Sequence, residues 1–167
     1  ISADSQTNLH YVIDIISEIR MIRAEMNIPL KATPILIIKG VDELQKTVIT
    51  SMHSAICRLA RVSDIEINKE GTFKKGTART SLHGIDIGLP LAGILDFPAE
   101  KARLEKEINA SKDEVKKIAL KLANEGFLAK APVSVVQENR RRLEEEQSRL
   151  EGLQNAFQRI IFTLHGY

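Results

Sequence analysis

Residues 104–122 read LEKEINASKDEVKKIALKL, and the spacing of their apolar positions decides the fold. Leu104, Ile108, Ser111, Val115, Ile118 and Leu122 follow one another at alternating four- and three-residue steps, the seam of a helix that packs lengthwise on a second helix. Downstream, Val136, Leu143, Leu150, Phe157 and Leu164 recur at intervals of seven, with Leu153 and Ile160 completing the last turns. Between the two runs Glu125–Gly126 interrupts the pattern, Phe127 and Leu128 follow, and Ala131–Pro132 opens the return helix. A glycine just past one helix and a proline just inside the next is the expected arrangement. So short a connection makes the helices antiparallel. Folding them back sets Leu122 opposite Val136, Val115 opposite Leu143 and Ile108 opposite Leu150. Ser111 then falls near Glu146 or Gln147, and Ile118 near Asn139 or Arg140. About 25 residues per arm gives a rod roughly 40 Å long, too slender to bury much of itself and suited to reaching something else.

Upstream of the hairpin, residues 33–96 alternate strand and helix signals. The short apolar run Ile35–Ile38 ends at Gly40, and Asp42 caps a helix whose stripe is Leu44, Val48, Met52, Ile56 and Leu59. Val62 to Ile67 alternates imperfectly, Gly71 to Gly76 supplies a turn, and Ile85, Ile87 and Leu89 alternate cleanly. The pattern predicts a small sheet with one helix across it. Further upstream, residues 4–28 predict a helix with Leu9, Val12, Ile13, Ile16, Ile19 and Met26 on one stripe and Ile15 and Ile22 at its edge. Asp4 or Ser5 is the expected N-cap and Pro29 the stop. So broad an apolar face on a solitary helix wants partners, expected from helices outside this chain. The whole is therefore α+β and predominantly α, in three parts: a helix over 1–30, a small α/β module over 31–97, and an antiparallel coiled-coil hairpin over 98–167.

At 167 residues the chain has room for one ordinary domain or two small units. No apolar run approaches the roughly 20 residues of a membrane span, and no charged-then-apolar leader opens the chain, so a cytoplasmic, membrane-free location is expected. A start at Ile1 rather than methionine suggests a piece of something longer. The lone cysteine, Cys57, sits in an apolar helical stretch and is expected to pack rather than react. Aromatic content of 4% without tryptophan argues against a binder that stacks nucleobases on rings.

The formal charge of +2 hides an asymmetry: residues 112–142 carry eight basic side chains against four acidic ones. The basic residues are Lys112, Lys116, Lys117, Lys121, Lys130, Arg140, Arg141 and Arg142, and no acid falls between 115 and 124. Lys112 with Lys116, and Lys117 with Lys121, are four residues apart, so each pair shares a helix face. Long cations on a rigid frame suit phosphate recognition; the competing reading is an ordinary solvated helix face. Leu120 points away from the seam, and Phe127 and Leu128 either close the hairpin tip or meet an exposed base. Catalytic signatures are missing. His10, His53, His83 and His165 are far apart with no metal-ligand spacing, and Gly71–Gly76 is followed by no Lys-Ser/Thr pair and preceded by no long apolar strand, unlike a phosphate loop. No cofactor is expected on this chain.

Three stretches together resemble one family. Ile22-Arg23-Ala24-Glu25-Met26-Asn27-Ile28-Pro29 resembles the end of the anticodon-binding helical domain of bacterial valyl-tRNA synthetases. Residues 87–94, IGLPLAGI, are similar to the strand that leads into the family's C-terminal arm, and residues 122–132, LANEGFLAKAP, to its hairpin tip. The resemblance implies a non-catalytic tRNA-binding fragment of a valine-tRNA ligase. It implies a monomer working with the rest of the synthetase and valine tRNA, its coiled coil leaning on the outer corner of the tRNA where D- and T-loops meet. ATP and valine would be handled by a catalytic domain lying upstream. Arg20 and Arg23 become candidates for the anticodon side. The alternative from the residues alone is a coiled-coil module that docks another protein.

Overall fold

The computed structural model describes residues 3–166, with side chains described from Gln6 onward. Its elements run α1 (Ala3–Glu25), β1 (Leu36–Lys39), α2 (Glu43–Ser51), α3 (His53–Ala60), β2 (Ile65–Ile67), β3 (Thr77–Leu82), β4 (Ile85–Pro90), α4 (Phe97–Ala123), α5 (Glu125–Lys130) and α6 (Val133–His165). The chain divides into two compact units, one holding the residues through Phe97 together with those from Arg159 on, the other Pro98–Gln158. The division thus differs from the three parts read in the sequence: the first helix joins the sheet module, and the last turns of α6 belong with them. The expected fold class, α+β and mostly helical, is what the structure has.

In the first unit the sheet order is β2-β1-β4-β3, with β1 and β2 parallel and the other neighbours antiparallel. The register aligns Ile38 with Ile67 and Ile87, and Ile87 with Thr80, so these side chains share one face. Thr80 Oγ1 donates to Glu18 Oε1 of α1 at 3.0 Å, which identifies that face as the helix-covered one. Leu36, Ile38, Ile85, Ile87 and Leu89 are accordingly buried. Gly88 points the other way, where the Phe73 ring lies close enough that a Cβ would stand 2.6 Å from it.

Of the expected stripe of α1, Val12, Ile16, Ile19 and Met26 are buried, while Leu9 and Ile13 are exposed. Tyr11, Ile15 and Ile22 are buried as well, so the face is shifted toward the two isoleucines assigned to its edge. Partners for this face lie within the chain, since α1 packs on α2 and α3. The stop is also different in kind. Ile28 N–H donates to Arg23 O at 2.9 Å and Asn27 N–H to Ala24 O at 3.2 Å, with Asn27 in the left-handed region at φ 54°. That is a Schellman ending, and Pro29 merely follows it. Ala3–Glu25 already includes Asp4 and Ser5, whose side chains, named above as N-caps, lie outside the described residues.

Asp42 caps α2 as expected, in a reciprocal box with Gln45: Gln45 N–H donates to Asp42 Oδ1 at 2.7 Å and Asp42 N–H to Gln45 Oε1 at 2.9 Å. The single expected helix is two, broken at Met52. Its buried positions are Ile49, Ile56 and Ala60, whereas Leu44 and Leu59 face outward. The strand β3 has no counterpart in the sequence reading. It pairs with β4 through a His83–Gly84 turn in which both φ angles are positive, 50° and 78°, as a two-residue I′ hairpin turn requires. Cys57 is half-buried rather than enclosed, its Sγ 3.8 Å from His53 Nε2. Burial, and then the charge of Asp64, pushes its thiol pKa up. No helix among the described residues is long and apolar enough to cross a membrane.

Candidate nucleic-acid interface

The second unit is built on α4 and α6. On α4 the buried positions are Leu104, Ile108, Ser111 and Ile118, as the 4-3 spacing predicts, with Val115 and Leu122 half-buried. The polar middle of the seam is satisfied from within. Ser111, fully buried, donates through Oγ to Glu146 Oε1 at 2.7 Å, one of the two partners the register allows. Asn139, also buried, donates through Nδ2 to Val135 O at 2.8 Å. Arg142 reaches across to Glu114 at 3.2 Å, tying the two antiparallel helices. On α6 the residues at intervals of seven, Val136, Leu143, Leu150, Phe157 and Leu164, are half-buried, as is Leu153; Ile160 is fully buried, with Ala156 and Thr163 buried beside it.

The tip is a helical turn, not an open loop. Asn124 accepts through Oδ1 from Phe127 N–H at 3.1 Å and starts α5. Gly126 consequently lies inside that short helix and does not serve as the end cap expected of it. Ala131 is extended, as a residue before proline must be, and Pro132 O accepts the first bonds of α6.

All eight cations singled out on the hairpin are exposed. The structure separates them by what they already hold. Arg141 is engaged by Glu138 and Glu145, and Arg142 by Glu114. Hydrogen bonding to Glu138 raises the Arg141 pKa, and the same bond lowers that of Glu138. Lys121 places its Nζ 5.0 Å from the centre of the Phe127 ring, so Phe127 both closes the tip and cradles a cation. Lys112, Lys116, Lys117, Lys130 and Arg140 make no ion pair among the described residues. At about 100° of rotation per residue, Lys112 and Lys116 lie on one flank of the seam and Lys117 and Lys121 on the other. Leu120, 63% exposed, sits between those flanks.

The two arginines assigned to the first helix part company. Arg20 is exposed. Arg23 is only 6% exposed, and its guanidinium donates to Arg61 O at 3.0 Å and Pro29 O at 2.9 Å. Burial, then the nearby charge of Arg61, lowers its pKa. Arg23 therefore joins two chain segments in the interior of the fold. Among the described residues no group of three His, Cys, Asp or Glu side chains is placed to hold a metal ion.

Residues 96–161, which contain α4, the tip and α6 as far as Ile161, match the family model of the valyl tRNA synthetase tRNA binding arm. The chain is 34% identical to a valine–tRNA ligase of Mesorhizobium japonicum over 94% of its own length and 17% of the relative's. It is 37% identical to the valine–tRNA ligase of Coxiella burnetii, again over 94% of the chain and 17% of the relative. The ligase of Gluconobacter oxydans is 36% identical over 94% of the chain and 18% of the relative. The chain thus spans less than a fifth of the length of the curated relatives it matches. Those alignments carry the resemblance across nearly all of the chain, sheet module included. Residues 96–161 are thus similar to the tRNA-binding arm of the valyl-tRNA synthetases, and nearly the whole chain is similar to a stretch of valine–tRNA ligases.

Proposed function

We propose that this chain is the tRNA-gripping part of a valine–tRNA ligase, with no catalytic centre of its own, and that it works by holding tRNA phosphates along the hairpin. The observation that carries this is the coincidence of the arm match with unpaired cations: Lys112, Lys116, Lys117, Lys130 and Arg140 stand exposed within residues 96–161. Lys121, Arg141 and Arg142 add to the same surface, because exposed ion pairs are weak enough to exchange a carboxylate for a phosphate. Contacts of this kind fix register without reading sequence. Remote binding of this sort accelerates chemistry elsewhere by placing the acceptor end where the reaction occurs. On this reading the cognate partner is valine tRNA, the chain acts as a monomer attached to the rest of the synthetase in the cytoplasm, and ATP and valine are bound by the ligase's other domains. Docking of another protein is the less favoured reading, since the seam's polar groups are already satisfied by Ser111–Glu146 and Asn139–Val135.

Fluorescence anisotropy of tRNA titrated with this chain at two salt concentrations tests the reading. Binding that weakens steeply with salt is the expected result, because each phosphate neutralised contributes about 0.9 to the slope of log K against log salt. Absence of binding at low salt, together with self-association of the chain, would transfer the hairpin to the protein-docking class.

A further inference from the structure

Away from the hairpin, an open cleft of about 610 Å³ lies where α1 and α3 end side by side. Four of its lining side chains are arginines, Arg20, Arg23, Arg58 and Arg61, and none is a carboxylate. The volume is within the range of ligand sites, about 300–1,000 Å³. The cleft is assembled by two helix endings of the same kind. Asn27 closes α1, and Arg61, at φ 55°, closes α3, with Val62 N–H donating to Cys57 O at 3.1 Å. Arg23 forms the floor: its bonds to Arg61 O and Pro29 O lock the two endings together. Arg20, Arg58 and Arg61 stand exposed above it, with no ion pair among the described residues. Four like charges gathered without a counter-charge repel one another unless an anion joins them. Leu30, 70% exposed, and Leu59 lie among the arginines and offer an apolar rim.

We propose that this cleft is a second RNA-backbone site, in which Arg20, Arg58 and Arg61 take phosphodiester oxygens while Arg23 acts as the positioning residue beneath them. The planar guanidinium suits phosphate in a forked geometry, and its face accepts an unstacked base, with Leu30 and Leu59 beside it. The inference rests on the tRNA-binding reading but uses none of the hairpin cations. Nor does it need the side chains of Asn27 or Pro29, which serve the backbone geometry alone.

The test compares two variants of the full chain, Arg20→Gln/Arg58→Gln/Arg61→Gln and Lys112→Glu/Lys116→Glu/Lys117→Glu, by anisotropy with tRNA and with a short single-stranded oligoribonucleotide. Thermal melting confirms that the triple glutamine variant keeps its fold, as expected because only the Arg61 carbonyl, not its side chain, is structural. The cleft variant should bind tRNA about tenfold more weakly with a salt slope shallower by about three, one for each phosphate contact removed, and should lose the oligoribonucleotide altogether. Replacement of the same three arginines by lysine should restore most of the slope. If the cleft variant matches wild type on both RNAs while the hairpin variant weakens, the second site is overturned and the arm stands. If wild type binds neither RNA, both readings fall. Poly-glutamate displacing the oligoribonucleotide at equal charge, or inorganic pyrophosphate binding where the oligoribonucleotide does not, would overturn RNA as the occupant.

Discussion

Arg23 shows how one side chain's surroundings can reverse the meaning of its charge. In the sequence it is an arginine on a helix beside another, Arg20, and the two look alike. In the fold Arg23 supplies the donors for two carbonyls, those of Arg61 and Pro29, that lie beyond helix ends. Arg23→Met would leave the Arg61 carbonyl without its donor, while the Pro29 carbonyl keeps the Ala32 N–H at 2.9 Å; the expected cost is about 1–3 kcal/mol, read as a lower urea midpoint. An unchanged midpoint would mean that water replaces the guanidinium freely. Tyr11 presents the opposite case, a buried side chain whose hydroxyl has no hydrogen-bond partner among the described residues. Burial first, and the charge of Asp42 second, push its pKa from 10.0 up to about 12. The folded state therefore holds the phenolic proton more tightly than the unfolded state. Its contribution to stability is complete below about pH 10 and is lost as pH rises through about 12, roughly 2–3 kcal/mol in all. Tyr11→Phe should remove that alkaline loss and cost little at neutral pH. Denaturation curves taken across this pH window would check it, and an alkaline limb surviving in Tyr11→Phe would assign the loss to other groups.

At the scale of elements, the seam of α4 carries its own prediction. Ile118 is buried, and the antiparallel register sets it near Asn139 or Arg140. Ile118→Asp would put a carboxylate in this buried seam position, and destabilisation of about 3 kcal/mol or more is expected. Because the two units are separately compact, loss of helical circular dichroism should precede loss of the sheet unit on heating; one unchanged transition would put Ile118 outside the seam. This seam was legible because a four-three repeat leaves a helix only one face to bury. Other elements were less so, for physical reasons. On α1 the sequence points to Val12, Ile16, Ile19 and Met26, but isoleucines occur all round that helix, and only packing on α2 and α3 selects Ile15 and Ile22 over Leu9 and Ile13. Strand β3 reads TARTSL, with no apolar alternation; the His83–Gly84 pair before Ile85 was the signal that would have found it. For the candidate interface, the hairpin cations could be named from composition, but not which of them hold acids. Arg58 and Arg61 were out of reach, since only tertiary packing brings them beside Arg20.

At the scale of the whole molecule, a formal charge of +2 is too small to hold a polyanion by net attraction alone. If tRNA binds, it binds because cations are concentrated, as they are between residues 112 and 142, where the surplus is four. Net charge and charge placement can be separated in a single variant. Lys117→Gln and Lys121→Gln together remove two positive charges from one flank of α4, and Glu70→Lys restores two at an exposed position in the sheet unit. The triple variant keeps the formal charge at +2. The lost contacts include the Lys121–Phe127 pairing at the tip, a small stabilising contribution at an exposed site. If placement governs binding, the variant should lose affinity for tRNA and its salt slope should fall by about two, one for each phosphate contact removed. If net charge governs, affinity and slope should match wild type. The same measurement on Lys112→Gln, Lys116→Gln and Glu70→Lys then identifies the flank that faces the RNA. The flank whose neutralisation changes the slope carries the contact, and equal small losses on both would mean that tRNA approaches through the Leu120 side between them.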